Sequence, residues 1–249
     1  MALRHALFFW LAAGALSAQP AARSAVTPVS TPTGSPAGEL VVLVHGMGRT
    51  AISMWPVERV LEEDGYRVLN FQYNSYGPTI AEIGRSLQTA IDEAAKTQAV
   101  SRVHFVGHSL GNIVVRYMVA YDAPTVPLGR MVMLAPPNRG AKAADLFAPY
   151  VSWLLAPITE LRTTASTVAT LPAPPSTFAF AIVAGAEDRT VSLEETCLAG
   201  ARAHVAVPAG HSFLMGREDV GQLVRSFLTT GAMPSTAPAV TVCARSSQR

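Results

Sequence analysis

The chain has 249 residues, enough for one domain with a substantial core. Of these 49% are apolar and only 14% charged, which excludes disorder across the main body. The 19 Lys and Arg residues barely outnumber the 17 Asp and Glu and are scattered, so no basic stripe marks a nucleic-acid partner and none is expected.

The N-terminus departs from the rest. Arg4 and His5 precede an apolar run from Ala6 to Leu16, which is shorter than the roughly 20 residues of a membrane span. Small residues follow, with Ala13-Gly-Ala15 and Ala15-Leu-Ser17 as A-x-A-like sites, and no acid occurs before Arg23. This layout is that of a secretory signal peptide over residues 1–23, so a secreted or periplasmic protein is expected. An uncleaved N-terminal anchor is the alternative. Residues 24–38, rich in Ser, Thr, Pro and Ala, read as a flexible linker.

From residue 39 the pattern alternates. Leu40–Val44 is a buried-strand run ending in His45-Gly-Met-Gly48. Ser53 is positioned to cap a helix through Trp55, Val57, Val60 and Leu61, with Pro56 in its first turn and Gly65 closing it. Arg67–Tyr73 is the next strand. Ile80, Ile83, Leu87 and Ile91, at spacings of three and four, give a longer helix one apolar face. Arg102–Val106 reads as a strand, Gly107-His-Ser-Leu-Gly111 follows it, and Asn112–Tyr121 is helix-like. Further strands are predicted at Arg130–Ala135, Phe178–Val183 and Ala203–Val207. A closing helix runs from Gly216 to Leu228, and residues 231–249 read as a frayed tail. Continuous apolar strands alternating with helices predict an α/β domain over 39–230, with a mostly parallel central sheet and helices on both faces. Ligands of such sheets bind at the carboxyl ends of the strands. His45–Gly48, Ser109, Glu187-Asp188 and His211 all fall there.

The G-x-S-x-G pentapeptide needs this strand-to-helix context. A strand must turn sharply into a helix with Ser109 at the apex, and glycines at 107 and 111 leave room for the backbone. A serine there is also a favoured helix N-cap. Two cysteines, Cys197 and Cys243, permit one disulfide in an exported chain; two unpaired thiols are the alternative. Neither sits in a metal or redox motif.

Five segments together carry a resemblance: His45-Gly-Met-Gly48, Gly107–Gly111, Ala135-Pro-Pro-Asn-Arg-Gly140, Asp188-Arg-Thr-Val191 and Gly210-His-Ser-Phe-Leu214. Over about residues 39–230 the chain resembles the α/β-hydrolase superfamily, and within it bacterial lipases and esterases with a short HG-type oxyanion loop. The resemblance implies Ser109 as nucleophile, His211 as base and an acid between them, the chain order of that superfamily. Asp188, in an Asp-x-x-Val pattern, fits the acid, and Glu187 is its immediate rival. The oxyanion donors are expected to be the backbone N–H groups of Leu110 and, by resemblance, Met47. The other histidines have structural readings, His45 bracing the turn.

Residues 141–177 exceed a simple crossover and include an apolar stretch, Leu146–Ile158. It reads either as a lid over the pocket or as a crossover helix packed on the sheet. Met47, His108, Trp153 and Leu154 are the expected substrate contacts. If Trp153, Leu154 and Leu155 line the pocket, the substrate is a hydrophobic acyl ester. The expected activity is a serine carboxylester hydrolase, working as a monomer on a small-molecule or lipid ester, with contact to a lipid interface if the stretch is a lid. Acyl transfer, thioester or amide cleavage and a non-catalytic binding role are the alternatives. No cofactor and no metal are expected, since no clustered acidic loop offers a calcium site.

Overall fold

Alternation within the first strand sets the layered plan. In β1 (Glu39–Val44), Val42 and Val44 join one hydrophobic core while Val41 and Leu43 join the other, all fully buried. A strand buried on both faces belongs in a parallel sheet covered by helices on each side. The computed structural model has this arrangement. It describes residues 38–152, 155–164, 166–240 and 243. The expected leader and all of the linker except Gly38 lie outside the described residues, as do Trp153 and Leu154.

Six strands form the sheet: β1, β2 (Arg67–Phe71), β3 (Arg102–His108), β4 (Leu128–Leu134), β5 (Ala179–Gly185) and β6 (Ala203–Val207). Their order is β2-β1-β3-β4-β5-β6, and every pair is parallel. The order reverses between β1 and β3, so the chain leaves these two neighbours in opposite directions and opens a crevice at their carboxyl ends. One face is covered by α2 (Ile80–Thr97), α3 (Leu110–Tyr121) and part of the 141–177 segment; α1 (Trp55–Glu63) and the last helix, residues 218–230, cover the other.

Local chemistry accounts for the helix starts, with one correction. Thr79 and Glu82 form a capping box at the head of α2, each side chain bonding the other's backbone N–H. Ser53 does not cap α1. Its hydroxyl donates to the Thr50 carbonyl at 2.7 Å within a 3-10 turn, Ala51–Met54, and α1 begins after that turn. Pro56 does sit in its first turn.

The insertion folds as three short helices, α4 (Lys142–Val151), α5 (Ala156–Glu160) and α6 (Thr167–Thr170). On α4 only the small Ala144 and Ala148 turn fully inward, whereas Leu146, Phe147 and Tyr150 are exposed. This segment is therefore not a plain core helix. The closing helix, α7 (Glu218–Thr230), follows a short 3-10 turn. Among the described residues no helix is long and apolar enough to cross a membrane.

The start of the tail is not frayed. Ala239 bridges Val205 in antiparallel fashion, Ala206 N–H donates to the Pro238 carbonyl and Val240 N–H to the His204 carbonyl. The tail thus covers the outer edge of β6, whose backbone groups would otherwise lack partners. Cys197 and Cys243 are joined by a disulfide across 46 residues of sequence. Closing a loop of that length stabilises the fold by about 4 kcal/mol on a chain-entropy model.

Candidate active site

β3 ends at His108 and α3 begins at Leu110, so Ser109 makes the whole turn alone. Its φ of 50° and ψ of −121° lie in a region non-glycine residues avoid, at a cost of about 1–3 kcal/mol. Several bonds hold it there. Ser109 N–H donates to the Leu134 carbonyl at 2.9 Å, and the Asn112 side chain donates to the carbonyls of Leu134 (2.9 Å) and Ser109 (3.2 Å). A side chain at Gly111 would run into the carbonyls of Val44 and His45, and one at Gly107 into Asn112. The two glycines of the motif are thus required by close packing of the elbow on its neighbours.

The loops after β5 and β6 bring the other groups to Ser109. His211 Nε2 lies 2.9 Å from Ser109 Oγ, and His211 Nδ1 lies 2.6 Å from Asp188 Oδ2. A carboxylate only accepts, so Nδ1 carries the proton and Nε2 presents its lone pair to the serine hydroxyl. Asp188 Oδ1 accepts the N–H groups of Thr190 (2.8 Å) and Val191 (2.9 Å). Burial alone would raise this carboxyl, but the bond to His211, the His211 charge and the two backbone donors hold it below the usual carboxylate range. Glu187 points to solvent and makes no bond to His211. Geometry separates the two acids: only Asp188 reaches the imidazole.

The loop after β1 is braced from below. Tyr73 stacks on His45 at 4.1 Å between ring centroids, and its hydroxyl donates to the His45 carbonyl at 2.6 Å. Burial lowers the His45 pKa, so the ring is neutral there. Gly48 N–H donates to Ser75 Oγ at 2.9 Å. That leaves the Met47 N–H without an acceptor among the described residues, and the Leu110 N–H at the head of α3 is likewise open. Two backbone donors beside Ser109, one of them at the positive end of a helix, can hold developing negative charge on an oxygen.

His108 is placed differently from its expected role. It is buried and absent from the cavity wall; its Nε2–H donates to the His211 carbonyl at 2.9 Å, and its ring packs against that of His211. The elbow turns the side chains on either side of Ser109 into the core, so His108 lies behind His211 and away from the cavity. Burial, with the nearby His211 charge, pushes its pKa down to about 3, which keeps it neutral.

A cavity of about 430 Å³ opens beside Ser109 and His211. Met47, Phe147, Leu155, Ile158, Leu161 and Val191 supply its apolar wall. The insertion therefore builds much of the cavity. A larger hollow of about 610 Å³, between β2 and α2, contains none of the groups gathered at Ser109. Among the described residues, one His/Cys cluster has metal-like spacing, Cys197, His204 and Cys243, and its two sulfurs are bonded to each other.

A family model described as alpha/beta hydrolase matches residues 41–224. The chain belongs to the alpha/beta hydrolase family. No curated protein matches its sequence. Among solved structures, the mature Bacillus licheniformis lipase BlEst2 aligns with a TM-score of 0.55 at 15% identity, over 70% of this chain and 84% of that one. The esterase EaEST from Exiguobacterium antarcticum aligns with a TM-score of 0.53 at 16% identity, over 78% and 93%. Phospholipase PlaB from Legionella pneumophila aligns at 0.53 and 18% identity, over 64% of this chain, which spans 44% of that protein's length. At these identities the likeness is one of fold.

Several residues at the site had no signal in the sequence. Ser75 and Tyr73, both on the loop after β2, fix the loop after β1. Glu195 is buried and accepts the N–H groups of Ser192 and Lys142, tying the acid loop to the start of α4. Each reaches a segment distant in sequence, where no local spacing could reveal it.

Proposed function

We propose that this protein is a serine carboxylester hydrolase acting through an acyl-enzyme on Ser109. The observation that carries the reading is the unbroken chain from Ser109 Oγ through His211 to Asp188, with bonds of 2.9 and 2.6 Å. A serine hydroxyl is a poor nucleophile until a base takes its proton. Here His211 Nε2 accepts that proton as Oγ attacks the ester carbonyl carbon, and Asp188 stabilises the imidazolium. The carbonyl oxygen, now negative, accepts the N–H groups of Met47 and Leu110; each such donor typically contributes about 2.7–4 kcal/mol. The imidazolium then protonates the leaving alcohol as the ester C–O bond breaks. Water enters, gives a proton to His211 and attacks the acyl-enzyme, and collapse returns the proton to Ser109 Oγ with release of the carboxylic acid.

The apolar wall supports a hydrophobic acyl group, with Met47 among its contacts. The exposed Leu146, Phe147 and Tyr150 on α4, next to the cavity that Phe147 lines, support contact with a lipid interface. The aligned lipase, esterase and phospholipase agree with an ester substrate. The leader-like N-terminus and the Cys197–Cys243 disulfide both favour export to an oxidising compartment. Hydrolysis of short-chain para-nitrophenyl esters, lost in Ser109→Ala, is the expected result. Absence of turnover together with no labelling by a serine-directed fluorophosphonate overturns the reading.

A further inference from the structure

The cavity beside Ser109 holds one fixed charge. Its wall is otherwise apolar or uncharged apart from His211, and no Asp or Glu side chain lines it among the described residues. That charge is Arg189, on the acid loop, which forms no hydrogen bond or ion pair among the described residues. The neighbouring acids form no ion pair with it among the described residues. Asp188, next in sequence, gives one oxygen to His211 and the other to two backbone N–H groups. Glu187 acts electrostatically on Arg217, which itself pairs with Asp219. Across the site, on the loop after β1, Arg49 is half-buried and its side chain also has no bonded partner among the described residues. Since β1 and β5 lie on opposite sides of β3, the two cations flank the strand that carries Ser109.

The direction of the chemistry orients the substrate in the cavity. His211 must protonate the leaving group, so the alcohol half of an ester lies on the His211 side. Arg189 and Thr190 line the cavity and are on the loop whose Asp188 bonds His211. Resting on the ester-hydrolase reading above, we infer that the enzyme selects acyl esters whose alcohol half carries an anionic group, a carboxylate or phosphate, bound by Arg189. The planar guanidinium suits a two-point bond to either anion. Arg49 adds longer-range attraction for the same charge.

Two para-nitrophenyl hexanoates test this, one plain and one with a carboxylate ortho to the nitro group. The readout is the ratio of kcat/KM for the carboxylated ester to that for the plain one. This ratio is expected to fall about tenfold in Arg189→Gln, the size of one charge-assisted bond at an open site. Arg189→Lys should restore part of it, because a point charge remains. In the native enzyme the ratio should also shrink as ionic strength rises from about 0.01 to 1 M, which shortens the screening length from about 30 to 3 Å. A ratio unchanged by Arg189→Gln while both esters turn over overturns the charge selection and leaves the hydrolase reading intact. Calorimetric binding of decyl phosphate and of decanol to the Ser109→Ala protein reads the selection without turnover. Tighter binding of the phosphate, lost on adding Arg189→Gln, supports it; equal affinities overturn it. A decanoate arm separates carboxylate from phosphate as the preferred anion.

Discussion

The elbow and the insertion lie on two sides of one cavity and are built in opposite ways. At the elbow, a single residue in an unfavourable conformation is held by bonds from Asn112 and Leu134 and by contacts so close that only glycine fits at 107 and 111. In the insertion, α4 turns only the small Ala144 and Ala148 fully inward and presents Leu146, Phe147 and Tyr150 to the outside. The elbow fixes atoms to within the tolerance that proton transfer needs. The insertion supplies shape and apolar surface, for which several residues would serve. The chemistry should therefore be brittle at one wall and tunable at the other.

The largest expected effects lie at the brittle wall. Ser109→Ala or His211→Ala should lower kcat about a million-fold, and Asp188→Asn about ten-thousand-fold by leaving the wrong imidazole tautomer. Single-turnover kinetics on an activated ester would measure both. A loss below a hundredfold for any of the three would show that the contact geometry is not the working one.

Gly111→Ala comes next, as a test of packing at the same wall. The added methyl meets two carbonyl oxygens of the β1 exit, and stability should fall by about 3 kcal/mol. Urea denaturation would show it as a shifted midpoint with an unchanged slope.

Acid separates the two regions in a third way. His108, His104 and His204 sit in or beside the sheet, and burial first of all lowers their pKa values, to about 3, 4 and 4. The insertion has no histidine. In the unfolded chain these rings titrate near 6.5. Below that pH the unfolded state binds more protons than the folded one, so stability is full above about 6.5 and is lost as pH falls toward 4. Each buried ring contributes a slope of about 1.4 kcal/mol per pH unit within that window. A melting temperature that stays level across it would contradict the burial of these rings.

The smallest effect belongs to the tunable wall. Phe147→Ala removes a half-exposed contact, so KM for medium-chain esters should rise roughly fivefold with kcat nearly constant. An equal fall in kcat and kcat/KM would instead place α4 in the transition-state machinery.

Much of the frame was legible because its signals are local. Apolar strands alternating with amphipathic helices dictated a covered parallel sheet, and the spacing of Ile80, Ile83, Leu87 and Ile91 matched the buried face of α2. The Gly107–Gly111 motif specified a turn that only small flanking residues allow. The resemblance favoured Asp188 over Glu187, but the sequence alone could not show which of two adjacent acids the backbone turns toward His211. Nor could it place His108, whose side chain the elbow turns behind the base, or predict that residues 238–240 would cover the edge of β6. Ser75 and Glu195 meet their partners Gly48 and Lys142 across tens of residues of sequence. Short-range periodicity determines which elements form; the meeting of loops at one end of the sheet, which brings Asp188, His211 and the cavity lining to Ser109, is decided by long-range packing.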